Sequence, residues 1–166
     1  RKRAKKRKIA AEMIQSSRNG DGYECEATQN WGGNVNFRGK LVVPESLASL
    51  QDQARTASTP IRVVGRGHSF SPVSECAGGT LLSLAKLNKV EIFVAPSPSV
   101  PMGSITIQGG TTYSEVIQYL GEHGALRNLP SCPQFTVAGA IATGTHGSGV
   151  HIQNLAADVS MIEFVI

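Results

Sequence analysis

The length, composition and charge of the chain are typical of one globular domain with a charged tail. It has 166 residues, of which 40% are hydrophobic and 17% charged, so it is long enough to bury a core. The net charge is +4, but seven of the 16 Lys and Arg residues lie within residues 1–8. The rest of the chain has nine Lys and Arg and 12 Asp and Glu, so its net charge is −3. The domain is therefore not expected to bind nucleic acid, and polyanion binding stays open only for the tail.

Residues 1–28 are predicted to form a basic, flexible N-terminal segment, because the basic block is followed by a stretch rich in Ser, Gly, Asn and Asp. The ordered domain is expected over residues 29–166. The three cysteines lack CxxC spacing and the four histidines lack ligand spacing, so neither a disulfide framework nor a metal site is predicted. No apolar run approaches the roughly 20 residues of a membrane span. A cytoplasmic location is favoured, and membrane association or organelle targeting by regions outside this chain stays open.

The first predicted elements in chain order are a helix and a strand. Leu47, Leu50 and Ala54 recur at helical spacing, with Pro44 expected in the first turn and Pro60 beyond the end. A strand is predicted over residues 61–64. Its end delivers the chain to a glycine-rich run.

Further strands are predicted over residues 80–84, 89–94 and 104–108, with a surface hairpin loop over 95–101. A second helix is predicted to follow, with Tyr113, Val116, Ile117 and Leu120 on one face. Thr111 or Thr112 is expected to cap its start, and Gly121 or Gly124 to end it. The apolar run 161–166 is predicted to be a strand cut off partway. Helices and strands in this order indicate an α+β domain.

Two glycine-rich runs carry the most information about function. Residues 63–71 read VVGRGHSFS and residues 139–149 read GAIATGTHGSG. Glycines let the backbone approach a ligand closely, while Ser, Thr and His offer polar contacts without net charge. This combination suits a large, partly anionic cofactor.

Three common readings of a glycine loop fit the first run poorly. A Rossmann fingerprint needs a third glycine where Phe70 stands, and a helix should follow at once. A nucleophile elbow needs a closing glycine in place of Ser71. A P-loop needs Gly-Lys-Ser or Gly-Lys-Thr, and neither run contains a lysine.

The two runs and their surroundings resemble the FAD-binding domain of the vanillyl-alcohol oxidase/p-cresol methylhydroxylase superfamily, and within it the aldonolactone and alditol oxidases. The resemblance covers roughly residues 30–166 and follows the family's order through residues 30–34 (NWGGN), 65–70, 81–84, 109–110, 130–131 and 142–149. It implies a PCMH-type domain with two α+β subdomains, the second truncated. It also implies that a C-terminal substrate domain, with the catalytic residues, is absent from this chain.

The resemblance assigns a cofactor role to specific positions. His68 matches the histidine that bonds covalently to the 8α-methyl of the flavin, and a neutral imidazole is a competent nucleophile for that bond. The other positions implied to contact FAD are Val64, Gly65, Arg66, Gly67, Ser69, Phe70, Ser131, Thr136, Gly139, Thr143, Gly144, Thr145 and His146.

Several of these residues leave alternatives open. Arg66 departs from the smaller residue common in bacterial alditol oxidases, and its guanidinium is expected to point outward or toward a phosphate. His146 is expected either to approach the cofactor or to shape its loop by a hydrogen bond. His123 and His151 are expected on the surface, and Trp31 is expected to pack in the core.

The implied function is that of the FAD-binding half of a flavoprotein oxidase that oxidises an alditol or an aldonolactone with O2 and releases H2O2. As a fragment, the chain is expected to be inactive. A related FAD-dependent dehydrogenase that uses another electron acceptor is one alternative. A non-enzymatic binding module with a polyanion-binding tail is the other, and it predicts strongly salt-dependent binding without flavin.

Overall fold

The computed structural model describes residues 28–99 and 101–166, and these residues divide into two compact units, the first ending at Ser83 and the second beginning at Leu84. Each unit combines strands with at least one helix, so the predicted α+β class with two subdomains is confirmed. The flexible segment predicted for residues 1–28 lies, apart from Thr28, outside the described residues.

The first unit contains two small sheets. β1 (Thr28–Gln29) and β2 (Asn36–Phe37) pair antiparallel. β3 (Lys40–Val42), β4 (Ile61–Val64) and β5 (Thr80–Ser83) form a parallel sheet with β5 in the centre. The prediction of strands over 61–64 and 80–84 is confirmed to within one residue.

The helix of the first unit, α1 (Leu47–Thr56), lies between β3 and β4 in the chain. Ser46 caps it by accepting a 3.1 Å hydrogen bond from the Ser49 amide. Pro44 therefore precedes the helix instead of lying in its first turn as predicted, because the Ser46 hydroxyl supplies the cap. No side chain of α1 is buried, and Leu47 is exposed.

The core of the first unit lies around the central strand. Phe37, Val64, Cys76 and Leu81 form a buried cluster, with Leu81 fully enclosed. Val64 is the last residue of β4, so core packing fixes the point at which the first glycine-rich run leaves the sheet.

The second unit begins with an antiparallel hairpin, β6 (Val90–Val94) and β7 (Ser104–Ile107), as the sequence predicts. α2 (Tyr113–Leu120) follows, with Thr112 and Glu115 forming a reciprocal capping box and Gly121 at its end. α3 (Val137–Ala142) and a 3₁₀ helix (Leu155–Asp158) complete the unit. Tyr113, Ala140 and Leu155 form its buried cluster.

The apolar run 161–166 forms no strand, so this prediction is wrong. Met161, Ile162, Phe164 and Ile166 are exposed. A strand forms only when its backbone groups pair with a neighbouring strand, and within the described part of the chain no segment pairs with this run. An apolar sequence alone does not supply that partner.

Candidate cofactor site

The first candidate loop, residues 65–71, leaves the sheet directly after the buried end of β4. Gly67 has φ +66°, a left-handed conformation that favours glycine. Its carbonyl oxygen accepts a 2.7 Å hydrogen bond from the Trp31 amide. The loop is thus joined to the turn formed by residues 30–34.

Asn30 is the centre of this attachment, and the residue is only 2% exposed. The Asn30 side-chain nitrogen donates to the Ser69 carbonyl at 2.8 Å and to Asn34 Oδ1 at 2.7 Å. Its side-chain oxygen accepts from the amides of Asn34 and Val35, both at 3.0 Å. All four bonding positions of the amide are therefore used to hold the turn against the loop.

Asn34 adds a second bond, from its side-chain nitrogen to the Phe70 carbonyl at 2.9 Å. Sequence reasoning assigned no role to Asn30 or Asn34 beyond their place in the NWGGN motif. The signal available was an asparagine at each end of a short glycine turn, a residue type that bonds readily to nearby backbone.

Trp31, His68 and Phe70 form an aromatic group at the surface of the first unit. The Trp31 and His68 rings stack with centroids 6.1 Å apart and planes at 26°. Phe70 meets Trp31 edge to face, also at 6.1 Å. Trp31 is 60% exposed, so the prediction that it packs in the core is wrong. Its turn projects the indole over the loop, and its packing partner is the imidazole.

His68 is half-buried, and its surroundings favour the neutral ring. Burial lowers the pKa of the imidazole below its ordinary value of 6.5, and the positive charge of Arg66 lowers this pKa further. At neutral pH the ring therefore carries a nitrogen lone pair that can act as a nucleophile.

The second candidate loop follows α3 in the second unit. Thr136 caps the start of α3 and accepts a 3.3 Å hydrogen bond from the Gly139 amide. A Cβ at Gly139 would lie 2.6 Å from the Thr136 hydroxyl oxygen, so a side chain there would disturb this cap. Thr136 and Gly139, both predicted to contact the cofactor, thus together form the N-terminal cap of α3.

A Schellman motif ends α3 and sets the direction of the loop. The Thr145 amide donates to the Ala140 carbonyl at 2.9 Å, and the Gly144 amide donates to the Ile141 carbonyl at 3.2 Å. Gly144 has φ +66°, as this motif requires. The Thr143 hydroxyl donates to the Gly139 carbonyl at 3.0 Å and lies 3.2 Å from the Thr145 hydroxyl.

His146 is exposed, and its ring nitrogen Nδ1 lies 2.8 Å from the Gly147 carbonyl oxygen. This contact is of the loop-shaping kind that was one of its two predicted roles. Gly147 packs so closely against the Asn128 side chain and the Leu129 backbone that a Cβ would overlap both. Asn128, which sequence reasoning did not select, also donates to the Gln153 carbonyl at 2.8 Å, so this side chain contacts both Gly147 in the loop and the segment that follows the loop.

The predicted site residues thus form two groups, one in each unit. Residues 64–70 lie together at the end of β4, and residues 136–146 lie together on α3 and its loop. Ser131 is exposed in the segment that leads to α3. His123 and His151 are exposed, as predicted. Across residues 28–99 and 101–166, no cluster of three or more His, Cys, Asp or Glu side chains could hold a metal.

The two groups share a chemistry suited to a cofactor that carries phosphates and an aromatic ring system. Both present hydroxyl groups, imidazole and backbone on glycine turns, and residues 65–71 and 143–149 contain no Asp or Glu. Neutral donors on such turns are typical of sites for anionic ligands. These features define a domain built to hold a nucleotide-type cofactor.

The FAD binding domain family matches residues 40–166, more than half of the chain. The chain therefore belongs to this family, and its resemblance to the FAD-binding domain of the vanillyl-alcohol oxidase superfamily is confirmed. FAD is accordingly the cofactor that the domain is built to bind.

Two curated relatives are similar over most of the chain. It is 35% identical over 142 residues to alditol oxidase from a Streptomyces species, a match that covers 84% of this chain and 33% of the relative. It is 32% identical over 141 residues to L-gulono-1,4-lactone dehydrogenase from Mycobacterium tuberculosis, covering 82% of this chain and 32% of the relative. The chain thus spans about a third of the length of these relatives.

A solved structure supports the fold. Cholesterol oxidase from B. sterolicum superposes with a TM-score of 0.64 at 20% identity, over 81% of this chain and 27% of that structure. Within the described residues, no helix combines the length and apolar character needed to span a membrane.

Proposed function

We propose that this chain is the FAD-binding part of a flavoprotein oxidase that acts on an alditol or an aldonolactone, with the flavin bonded covalently to His68. The half-buried imidazole, held at the end of β4 and favoured in its neutral form, is the observation that carries the covalent assignment. The oxidase assignment rests on the similarity to alditol oxidase.

The hydrogen-bonding groups of the two glycine-rich loops fit the chemistry of FAD. Gly67 and Gly144 turn the backbone with positive φ, so that no side chain blocks the approach of a ligand at either turn. Thr143, Thr145 and His146 offer polar groups on the second loop. An anionic pyrophosphate would meet no carboxylate belonging to either loop, which favours its binding.

His68 would form its bond as follows. The ring nitrogen that carries the lone pair would bond to the 8α carbon in place of one methyl hydrogen, and the N–H proton would leave from the other ring nitrogen, so that the attached imidazole ends neutral. The flavin would supply the two-electron oxidation that this bond requires, with molecular oxygen as the final electron acceptor and H2O2 as its product. The role of the protein is to hold the imidazole neutral and oriented while this bond forms.

When bound, the flavin would supply the redox chemistry, which is hydride transfer from the carbinol carbon of the substrate with oxygen as the final electron acceptor. The chain described here would hold and orient the cofactor. The groups that orient the substrate are expected in the region of the relatives that this chain does not cover. A cytoplasmic location is part of the same proposal.

Peroxide release by the full-length protein tests the substrate assignment. We expect a larger rate with xylitol or sorbitol than with gulonolactone or galactonolactone, in a peroxidase-coupled assay at matched concentrations. This expectation follows from the similarity of residues 30–34 and 137–149 to alditol oxidases. Better turnover of the lactones would contradict the alditol assignment and leave the FAD assignment standing.

A dehydrogenase is the second candidate function, because one of the two relatives above is an L-gulono-1,4-lactone dehydrogenase. It would share the fold and the cofactor but pass electrons to a carrier other than oxygen. Stopped-flow reoxidation of the reduced full-length protein separates the two functions. Fast reoxidation by oxygen supports the oxidase, whereas fast reoxidation by a dye with slow reaction toward oxygen supports the dehydrogenase.

A further inference from the structure

Trp31 is held firmly although it is exposed. Its amide donates a 2.7 Å hydrogen bond to the Gly67 carbonyl, which fixes the indole's backbone to the loop that carries His68. Its ring stacks on the imidazole and also packs against Phe70 with the two ring planes nearly perpendicular. Both the backbone and the side chain of Trp31 are therefore tied to one loop.

Gly32 contributes to the same arrangement. A Cβ at this position would lie 2.9 Å from Phe70 Cδ1 and Cε1. Because the glycine has no side chain, Phe70 can lie against the turn and support the indole from the side. The turn thus leaves room for the ring that keeps Trp31 in place.

Packing in the core does not explain why Trp31 is held at this position. Trp31 belongs to neither buried cluster, and a large aromatic ring that is 60% exposed contributes little hydrophobic burial. The indole instead stacks on the His68 ring, with the ring centroids 6.1 Å apart. The χ2 torsion of a histidine is broad and roughly two-fold, so a ring stacked on one face narrows the orientations that the imidazole can take.

We propose that Trp31 is a positioning residue that holds the His68 imidazole in the orientation required for the bond to the flavin methyl carbon. This inference rests on the proposed covalent attachment. Trp31 acts through His68 and takes no part in the bond itself: the imidazole nitrogen bonds to the 8α carbon, with oxygen as the final electron acceptor as described above.

Covalent incorporation of FAD into the full-length apoprotein tests the proposal. The apoprotein is prepared from riboflavin-starved cells and mixed with FAD, and the bound but not yet covalent FAD and the acid-stable flavin are measured separately over time. We expect Trp31→Ala to slow covalent incorporation by about tenfold or more, because a misoriented nucleophile loses the benefit of fixed geometry. The dissociation constant for non-covalent FAD should change by less than about threefold.

Trp31→Phe keeps an aromatic ring over the imidazole and should restore the rate to within about threefold of the wild type. Phe164→Ala, which removes another exposed aromatic ring far along the sequence, is the matched control and should incorporate FAD at the wild-type rate.

Two results would overturn the proposal. One is a wild-type rate of incorporation in Trp31→Ala. The other is an equal loss of FAD affinity and thermal stability in both Trp31→Ala and Trp31→Phe, which would assign Trp31 a purely structural role. Retention of acid-stable flavin in His68→Ala is a separate outcome, because it would refute the covalent site itself.

Discussion

The side-chain amide of Asn30 donates a 2.8 Å hydrogen bond to the carbonyl oxygen of Ser69, the residue that follows His68. The two residues are 39 positions apart, and the bond is part buried. Through this contact the turn of residues 30–34 determines where the backbone beside His68 lies. The histidine loop is therefore held by a neighbouring turn as well as by the strand that leads into it.

Replacement of Asn30 by Ala should destabilise the first unit. The substitution would remove all four hydrogen bonds of a buried side-chain amide. The Ser69 carbonyl and the Val35 amide would then lose their hydrogen-bond partner in a place that water hydrates poorly. We expect a loss of about 2–3 kcal/mol in the free energy of unfolding of the full-length protein, measured by denaturant titration.

Asn154→Ala is the control for the Asn30 variant. Asn154 is exposed, and its side chain makes no capping hydrogen bond to the 3₁₀ helix that it precedes. Its replacement should change the unfolding free energy by less than about 0.5 kcal/mol. Equal effects of the two substitutions would show that the Asn30 bonds do not stabilise the fold.

A substitution at Gly144 tests whether the second loop requires the left-handed backbone conformation at this position. Its φ is +66°, and no atom lies within 4 Å of the position that a Cβ would take. Gly144→Ala should therefore cost about 1–2 kcal/mol through backbone strain, without a steric clash. We also expect weaker FAD binding, because the Schellman motif directs the loop that contains Thr145 and His146.

Gly124→Ala is the matched control for Gly144. A Cβ at Gly124 would make only an ordinary contact of 4.0 Å with Leu120. The φ angle of Gly124 lies outside the left-handed range that favours glycine. The substitution should leave stability within about 0.5 kcal/mol of the wild type and FAD affinity unchanged. A Gly144→Ala protein as stable as the Gly124→Ala protein would contradict the assigned turn.

The sequence predicted strands β4 to β7 and helices α1 and α2, but it did not predict β1 to β3, α3 or the 3₁₀ helix, and it predicted the contacts around the loops poorly. The strand over residues 61–64 and the helix with Thr111 or Thr112 as its expected cap follow from local signals: an apolar run before glycine, and a threonine before apolar residues at helical spacing. Of the two threonines, the structure has Thr112 as the cap. The stacking of Trp31 on His68 could not be predicted, because it depends on how two segments 37 positions apart are brought together.

The predicted terminal strand shows the same limit. Residues 161–166 have the apolar composition of a strand, yet a strand also requires a paired neighbour, which composition does not encode. Asn30 and Asn128 were missed for a related reason. A buried asparagine is recognised only when the backbone groups that it bonds are known, and in both cases some of them are distant in sequence.

The lowered pKa of His68 predicts a specific dependence of stability on pH. The unfolded ring binds a proton near pH 6.5, while the folded protein resists protonation because of burial and Arg66. The contribution of His68 to stability is therefore fully present above pH 6.5 and is lost as the pH falls through the lower folded pKa. His68→Gln should make the fall in stability between about pH 7.5 and pH 5 shallower, in denaturant titrations at several pH values.

Arg66→Gln separates the two causes of this shift. Burial is the larger cause, so removal of the Arg66 charge should raise the pKa of His68 only part of the way toward 6.5, as measured by NMR titration of the ring protons. A full return to 6.5 would mean that charge, and not burial, controls the imidazole.

Tyr113 should remain protonated to unusually high pH. Burial, together with the negative charge of Asp158, raises the pKa of its phenol to about 12. In an ultraviolet titration of the folded protein, Tyr113→Phe should therefore remove absorbance that appears only near pH 12. Tyr119→Phe, at an exposed position of the same helix, is the control and should leave that late change in place. Loss of the late change in Tyr119→Phe instead would contradict the buried environment of Tyr113.

The proposed bond between His68 and the flavin is tested most directly by denaturing gel electrophoresis of the full-length protein. Wild-type protein and His68→Ala are purified with FAD, denatured, separated and inspected for flavin fluorescence before staining. His123→Ala, which replaces an exposed histidine outside both loops, serves as the control. We expect a fluorescent band for the wild type and His123→Ala and none for His68→Ala; a fluorescent His68→Ala band, or a wild-type band without flavin, would contradict the assignment.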